Sequence, residues 1–209
     1  GPFSTSDLSQ LPNGDWTLLV QAVDHVNPAV AELMDSFRFI PNWQLDDIMV
    51  SYAREGGSVG PHFDNYDVFL VQTSGQREWQ LGQRCDESDP LIDHPDLLLL
   101  DNFECEQRFV LNPGDILYIP PRYGHWGIAK DNNCITCSVG FRSPTVADII
   151  AEYAEHLGQS ETSQQHFQDQ TPQLQENPGE IGQHVVDQLS SLIVKTEDDQ
   201  EALGVWFGQ

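Results

Sequence analysis

Apolar positions along the chain follow two rhythms, and the change between them marks three zones. In residues 1–45 a strand-like run, Trp16-Thr17-Leu18-Leu19-Val20, precedes a stretch in which Val26, Val30, Leu33, Met34 and Phe37 return every three or four positions, the spacing of one helical face. Pro28 falls in the first turn of that helix, where its missing amide donor removes no hydrogen bond. From 46 to 142 the texture is β. The runs Ile48-Met49-Val50-Ser51-Tyr52, Val68-Phe69-Leu70-Val71 and Ile116-Leu117-Tyr118-Ile119 are short, rich in β-branched and aromatic residues, and separated by turn formers such as Gly56-Gly57, Ser74-Gly75, Asn112-Pro113-Gly114-Asp115 and Asp131-Asn132-Asn133. Many short strands at this spacing predict a double-sheet jelly roll or barrel.

The helical rhythm returns after Ser143-Pro144, read as a helix start. Val146, Ile149, Ile150, Tyr153, Ala154 and Leu157 line one face, a Gln-rich stretch from 159 to 179 reads as a linker, and Ile181, Val185, Val186, Leu189, Leu192 and Ile193 line a second helix. The expected organisation is a β domain over 1–142 and a helical segment over 143–209. Two amphipathic helices suit either a homodimer interface or packing on their own domain.

Charge narrows the function classes. The formal net charge is −24 and the pI about 4.2, so a nucleic-acid-binding surface is not expected, because few cations could replace counterions on a phosphate backbone. Such a surface attracts a basic partner. No apolar run has the length of a membrane span. Four scattered cysteines (Cys85, Cys105, Cys134, Cys137) form no disulfide framework, and a reducing cytoplasm is the expected compartment. Cys134-x-x-Cys137 has no second Cys or His pair at zinc-knuckle spacing, and on a strand its two residues face opposite sides.

The candidate chemistry lies in two segments. Within Gly56-Gly57-Ser58-Val59-Gly60-Pro61-His62-Phe63-Asp64, strand alternation would point His62 and Asp64 to one side, offering an imidazole nitrogen and a carboxylate oxygen to one metal. Farther on, Asn112-Pro113-Gly114-Asp115 leads through a strand into the stiffened bend Pro120-Pro121-Arg122-Tyr123-Gly124 and then His125. Two histidines and one carboxylate with open coordination positions are the donor set of non-haem Fe(II) oxygenases.

Gly56-x5-His62-x-Asp64 and Gly114-x5-Pro120-x4-His125 resemble the two cupin motifs. The wider string His62-Phe63-Asp64-Asn65-Tyr66-Asp67-Val68-Phe69-Leu70-Val71-Gln72 resembles the JmjC-type ribosomal oxygenases, and within them the bacterial arginine hydroxylases of a large-subunit ribosomal protein. Asp46-Asp47-Ile48-Met49-Val50-Ser51-Tyr52 and Ser138-Val139-Gly140-Phe141-Arg142 fit the same pattern. The resemblance implies a double-stranded β-helix and an Fe(II)- and 2-oxoglutarate-dependent oxygenase that consumes molecular oxygen. It implies His62, Asp64 and His125 as metal ligands. It assigns the distal carboxylate of 2-oxoglutarate to a basic residue on the strand after the His-x-Asp strand, here Arg77, with Ser51 as a further co-substrate contact. A guanidinium grips a carboxylate with two parallel hydrogen bonds, which suits Arg77 to that task. The implied substrate is a basic ribosomal protein, modified on arginine. The same chemistry on a histidine, or a non-catalytic metal cupin acting as sensor or scaffold, are the competing readings. Members of the family are usually longer at both ends, with a winged-helix-like C-terminal domain.

Overall fold

Among the described residues eight antiparallel strands form two sheets: β1 (Thr17–Val20), β2 (Leu45–Ala53), β3 (Asp67–Ser74), β4 (Arg77–Arg84), β5 (Cys105–Leu111), β6 (Ile116–Ile119), β7 (Tyr123–Ala129) and β8 (Cys134–Phe141). The computed structural model describes residues 3–86, 88–94, 97–159, 166–168, 181–197 and 200–207. The larger sheet has the order β1-β2-β8-β3-β6 and the smaller β5-β4-β7. This is the expected double-sheet arrangement, without closure into a barrel.

Alternation along each strand assigns the faces of the larger sheet. Ile48, Val71, Cys137, Val139 and Phe141 share one buried cluster with Met34 and Phe37. Those two belong to and follow α2 (Pro28–Asp35), which comes after the short α1 (Thr5–Ser9) and is capped by the Asn27 side chain and opened by Pro28 as its spacing predicts. Val26 lies before that helix and is 82% exposed, so it is no part of the helical face. On the opposite, inward face Val68, Leu70 and Ile119 meet Trp79 and Leu111 in a second cluster. Ser51, Gln72, Cys134 and Thr136 alternate with the outward positions and are also buried. The larger sheet thus packs apolar residues under α2 on one side and keeps a partly polar face for the other.

Strands β4, β5, β7 and β8 stand where the apolar pattern alone marks no run. Their inward positions include Arg77, Gly127 and Cys134, which break the alternation of large apolar residues that signals a strand.

The chain divides into two compact units, Gly1–Ser143 and Pro144–Gln209. In the second, α3 (Val146–Gly158) starts at Thr145, whose hydroxyl and Asp148 form a capping box, two residues beyond the Ser143 start expected. α4 (Gln183–Glu197) begins after Ile181, and α5 (Gln200–Phe207) follows. α3 buries none of its residues, and Val146 and Ile150 are exposed. Tyr153 and His156 meet the ring of Trp206 at 5.0 and 6.1 Å. Most of the Gln-rich stretch lies outside the described residues.

Phe37 anchors α2 to the sheet through ring contacts with Phe69 at 5.2 Å and Phe141 at 6.3 Å. Phe37→Ala should cost about 3–5 kcal/mol in urea unfolding. Phe39→Ala, at a ring 71% exposed, should cost about 1 kcal/mol or less.

Candidate active site

His62 and Asp64 do not stand on a regular strand, contrary to the expectation. Gly60 adopts φ 96° and Pro61 has no amide donor, so no ladder can run through this segment. It is instead laced between two neighbours. His62 exchanges both backbone hydrogen bonds with His125, at 3.0 and 2.8 Å, Leu100 N donates to Pro61 O, and Arg122 N donates to Asp64 O. These bonds impose the alternation that a strand would have imposed. Arg122 itself adopts φ 67°, a left-handed conformation that turns the chain from Pro120-Pro121 into β7.

The result is convergence. One donor atom from each of His62, Asp64 and His125 lies within 4.8 Å of the others. His125 Nε2 is 3.6 Å from Asp64 Oδ2, and the imidazole centroids are 4.2 Å apart. His62 Nδ1 lies 3.0 Å from Gly60 O and His125 Nδ1 2.9 Å from Tyr123 O. A carbonyl can only accept, so each Nδ1 is the donor and each Nε2 is the atom that faces away from that bond. Both rings are therefore oriented with Nε2 left for a metal. Burial pushes the Asp64 carboxyl up from its usual range, with His62 opposing. Two imidazoles and one carboxylate are a donor set that suits a divalent cation and leaves coordination positions open.

Arg77 opens β4, with β3 intervening between it and the His-x-Asp segment. It is opposite Ala129, while His125 is opposite Leu81. Arg77, Trp79 and Leu81 share the inward face, so Arg77 and His125 are separated by roughly 13 Å along the sheet. Trp79 lies between them, its ring 5.7 Å from the guanidinium carbon and 5.9 Å from the His125 ring. Gly127 makes room for this: a Cβ there would stand 2.7 Å from the Trp79 ring. Trp126, one residue from His125, is turned away and donates to Ser58 Oγ at 2.7 Å.

The Arg77 side chain is a buried cation, 5% exposed, with its Nε donating to Cys134 Sγ at 3.3 Å and its Nη2 buried without a partner. No ion pair holds it among the described residues. Ser51 is buried too, and its hydroxyl donates to Thr136 O at 3.3 Å. Beside them Thr136 Oγ1 donates to Gln72 Oε1 at 2.7 Å. Gln72, Cys134 and Thr136 were not singled out as site residues by the sequence, although a glutamine closing the apolar run Val68–Val71 signals a buried amide. Cys134 and Cys137 are free, buried and on opposite faces of β8, as their spacing predicts.

A JmjC domain model matches residues 32–149. The chain belongs to the JmjC domain family. It is 38% identical over its full length to the Ribosomal protein uL16 3-hydroxylase of Escherichia coli (strain K12), covering 55% of that protein. It is 47% identical over 150 residues (71% of this chain) to the Probable ribosomal oxygenase of Haemophilus influenzae, covering 37% of it. A solved structure of YcfD, a ribosomal oxygenase from Escherichia coli, in complex with cobalt and 2-oxoglutarate, superposes with a TM-score of 0.83 at 36% identity, over 100% of this chain and 54% of that one. The chain thus spans about half or less of the length of these relatives.

Burial holds His125 far below the usual imidazole range, at about 3, with His62 adding to the effect and the Tyr123 carbonyl opposing it. Unfolded, the ring takes up its proton near about pH 6.5, so between there and about 3 the unfolded chain binds the extra proton. The His125 contribution therefore lowers the stability of the metal-free protein as pH falls through that window. The raised Asp64 carboxyl acts in the opposite sense. On acidification from about pH 7 to about pH 5, the urea midpoint of the metal-free wild type should fall more than that of His125→Gln. Equal falls would show that His125 titrates normally in the fold.

Proposed function

We propose that this chain is an Fe(II)- and 2-oxoglutarate-dependent oxygenase that hydroxylates an arginine side chain of a ribosomal protein. The observation that carries the reading is the Arg77 guanidinium, 95% buried, without a carboxylate partner among the described residues, on the inward face that also bears His125. A buried charge left unpaired is costly, and an anion is the missing partner. A dicarboxylic keto acid supplies one at its far end while its near end reaches the metal donors. This separates the reading from a non-catalytic cupin, which has no use for a buried anion clamp. The relatives named as ribosomal oxygenases support the substrate class.

His62, Asp64 and His125 would hold Fe(II), and Arg77 with Ser51 would seat 2-oxoglutarate. Together with oxygen these supply the oxidation, in which one oxygen atom enters a substrate C–H bond and the other leaves in succinate as the keto acid loses carbon dioxide. The protein's own part is placement and dryness. Trp79 fills the space between the clamp and the ligands, and both imidazoles are oriented by carbonyl contacts at Nδ1.

Support for an arginine comes from charge around Asp64. Burial pushes the Tyr66 hydroxyl up to about 12, and Asp64, Asp46 and Asp47 push the same way against Arg142. Asp46 and Asp47, which are not metal ligands, supply the negative potential that favours a cationic side chain.

Incubation of the chain with Fe(II), 2-oxoglutarate, air and ribosomal proteins from a strain lacking the enzyme should add the mass of one oxygen atom to one of them, with fragmentation placing it on an arginine. The gain should vanish with Asp64→Ala. Placement on a histidine would replace the arginine reading, and neither gain nor succinate release would overturn the oxygenase. Arg77→Lys keeps the charge but loses the two-pronged grip, and should weaken 2-oxoglutarate binding about tenfold.

A further inference from the structure

An arginine that must grip a carboxylate end-on needs its own orientation fixed by something other than that carboxylate. Of its five N–H donors, the Nε–H lies nearest the side-chain stem, so whatever accepts from Nε sets the rotation of the whole planar group. In this chain the acceptor is the sulfur of Cys134, 3.3 Å away. We propose that Cys134 is a positioning residue for Arg77, a neutral acceptor that turns the guanidinium fork toward the distal carboxylate of the co-substrate without cancelling its charge. The inference rests on the reading of Arg77 as the carboxylate clamp.

The chemistry of sulfur is the point. An aspartate at this place would also accept from Nε, but it would pair with the guanidinium and compete with an incoming carboxylate. A thiol is a weak, uncharged acceptor, so the buried cation keeps its demand for an anion. The sulfur is itself held in place. Cys134 has no exposed surface and packs with Ala53 and Ala129, the latter lying opposite Arg77 across the β4–β7 pairing. Gln72 Nε2 donates to the same sulfur at 3.5 Å and to Ser74 O at 2.7 Å. The Gln72 carbonyl is fixed by the Thr136 hydroxyl. Because Cys134 is on β8 and Arg77 on β4, the bond also crosses from the larger sheet to the smaller.

The test separates positioning from packing by comparing two ligands. 2-Oxopentanoate keeps the keto acid end and replaces the distal carboxylate by a methyl group, so it does not use the clamp. Each is titrated calorimetrically into the Co(II)-loaded chain. Wild type should prefer 2-oxoglutarate. Cys134→Ala should weaken 2-oxoglutarate about tenfold and leave 2-oxopentanoate unchanged, since a hydrogen bond to a charged group contributes that much. Cys134→Ser, whose hydroxyl can accept from Nε, should recover most of the preference. Cys134→Asp, which supplies a competing carboxylate and a partner for the buried charge, should abolish it. A preserved preference in Cys134→Ala or Cys134→Asp, or equal weakening of both ligands, would overturn the inference while leaving the clamp standing. A wild type that does not prefer 2-oxoglutarate would overturn the clamp reading, and this inference with it.

Discussion

The constraint on which the site depends is the buried guanidinium of Arg77, a fixed positive charge between two sheets with no ion-pair partner among the described residues. Removing such a charge from water costs several kcal/mol even after local relaxation. The fold tolerates it through partial measures: a thiol accepts from Nε, an indole ring lies within cation–π distance, and the chain as a whole is strongly acidic. None of these neutralises the charge. On the proposed reading, an anion entering beside Arg77 would complete an interaction the fold leaves unfinished. Had an aspartate stood nearby, the sandwich would be more self-contained and the pocket would have little to offer a carboxylate.

That deficit is affordable because stability is secured elsewhere. The larger sheet carries its tightest apolar packing on its outward face, where Met34 and Phe37 cover Ile48, Val139 and Phe141. The inward face can then hold Ser51, Gln72, Cys134 and Thr136 in place of a second full layer of aliphatic residues. These polar atoms bond largely to one another, through Thr136 to Gln72 and Ser51 to the Thr136 carbonyl, so burying them leaves few donors stranded. Trp79 supplies the bulk that the polar residues lack, and Gly127 supplies the space for Trp79.

How much of this the sequence discloses follows from what each signal depends on. α2 and the cores of β2, β3 and β6 are legible, because their apolar residues obey the helical or alternating period locally. β4, β7 and β8 lack such runs: the inward positions that a simple pattern would fill with Val or Leu are occupied by Arg77, His125, Gly127 and Cys134. The strands hardest to read from apolar pattern are thus those that build the site. The donor triad is legible from residue type and family motif, but its stated reason, a strand through His62 and Asp64, is not the one the structure uses. Reciprocal bonds to His125 fix the alternation instead, a contact between residues 62 and 125 that no local window contains. The Arg77–Cys134 bond is likewise non-local, and Cys134-x-x-Cys137 gives no hint of it beyond the opposite facing of its two thiols.

The two ends of the site are prepared in opposite electrostatic senses, and this bears on how a ligand must enter. At the metal end, desolvation disfavours charge on both His125 and Asp64: it pulls the imidazole down and pushes the carboxyl up. A divalent cation would reverse that balance by stabilising the carboxylate. At the clamp end the charge is permanent, since a guanidinium does not titrate in this range. A dianionic keto acid entering a metal-free site would meet a favourable far end and a near end with no cation to receive its other carboxylate. With the metal in place both ends are positive in net effect. On the proposed reading, such an arrangement would couple co-substrate affinity to metal occupancy through charge.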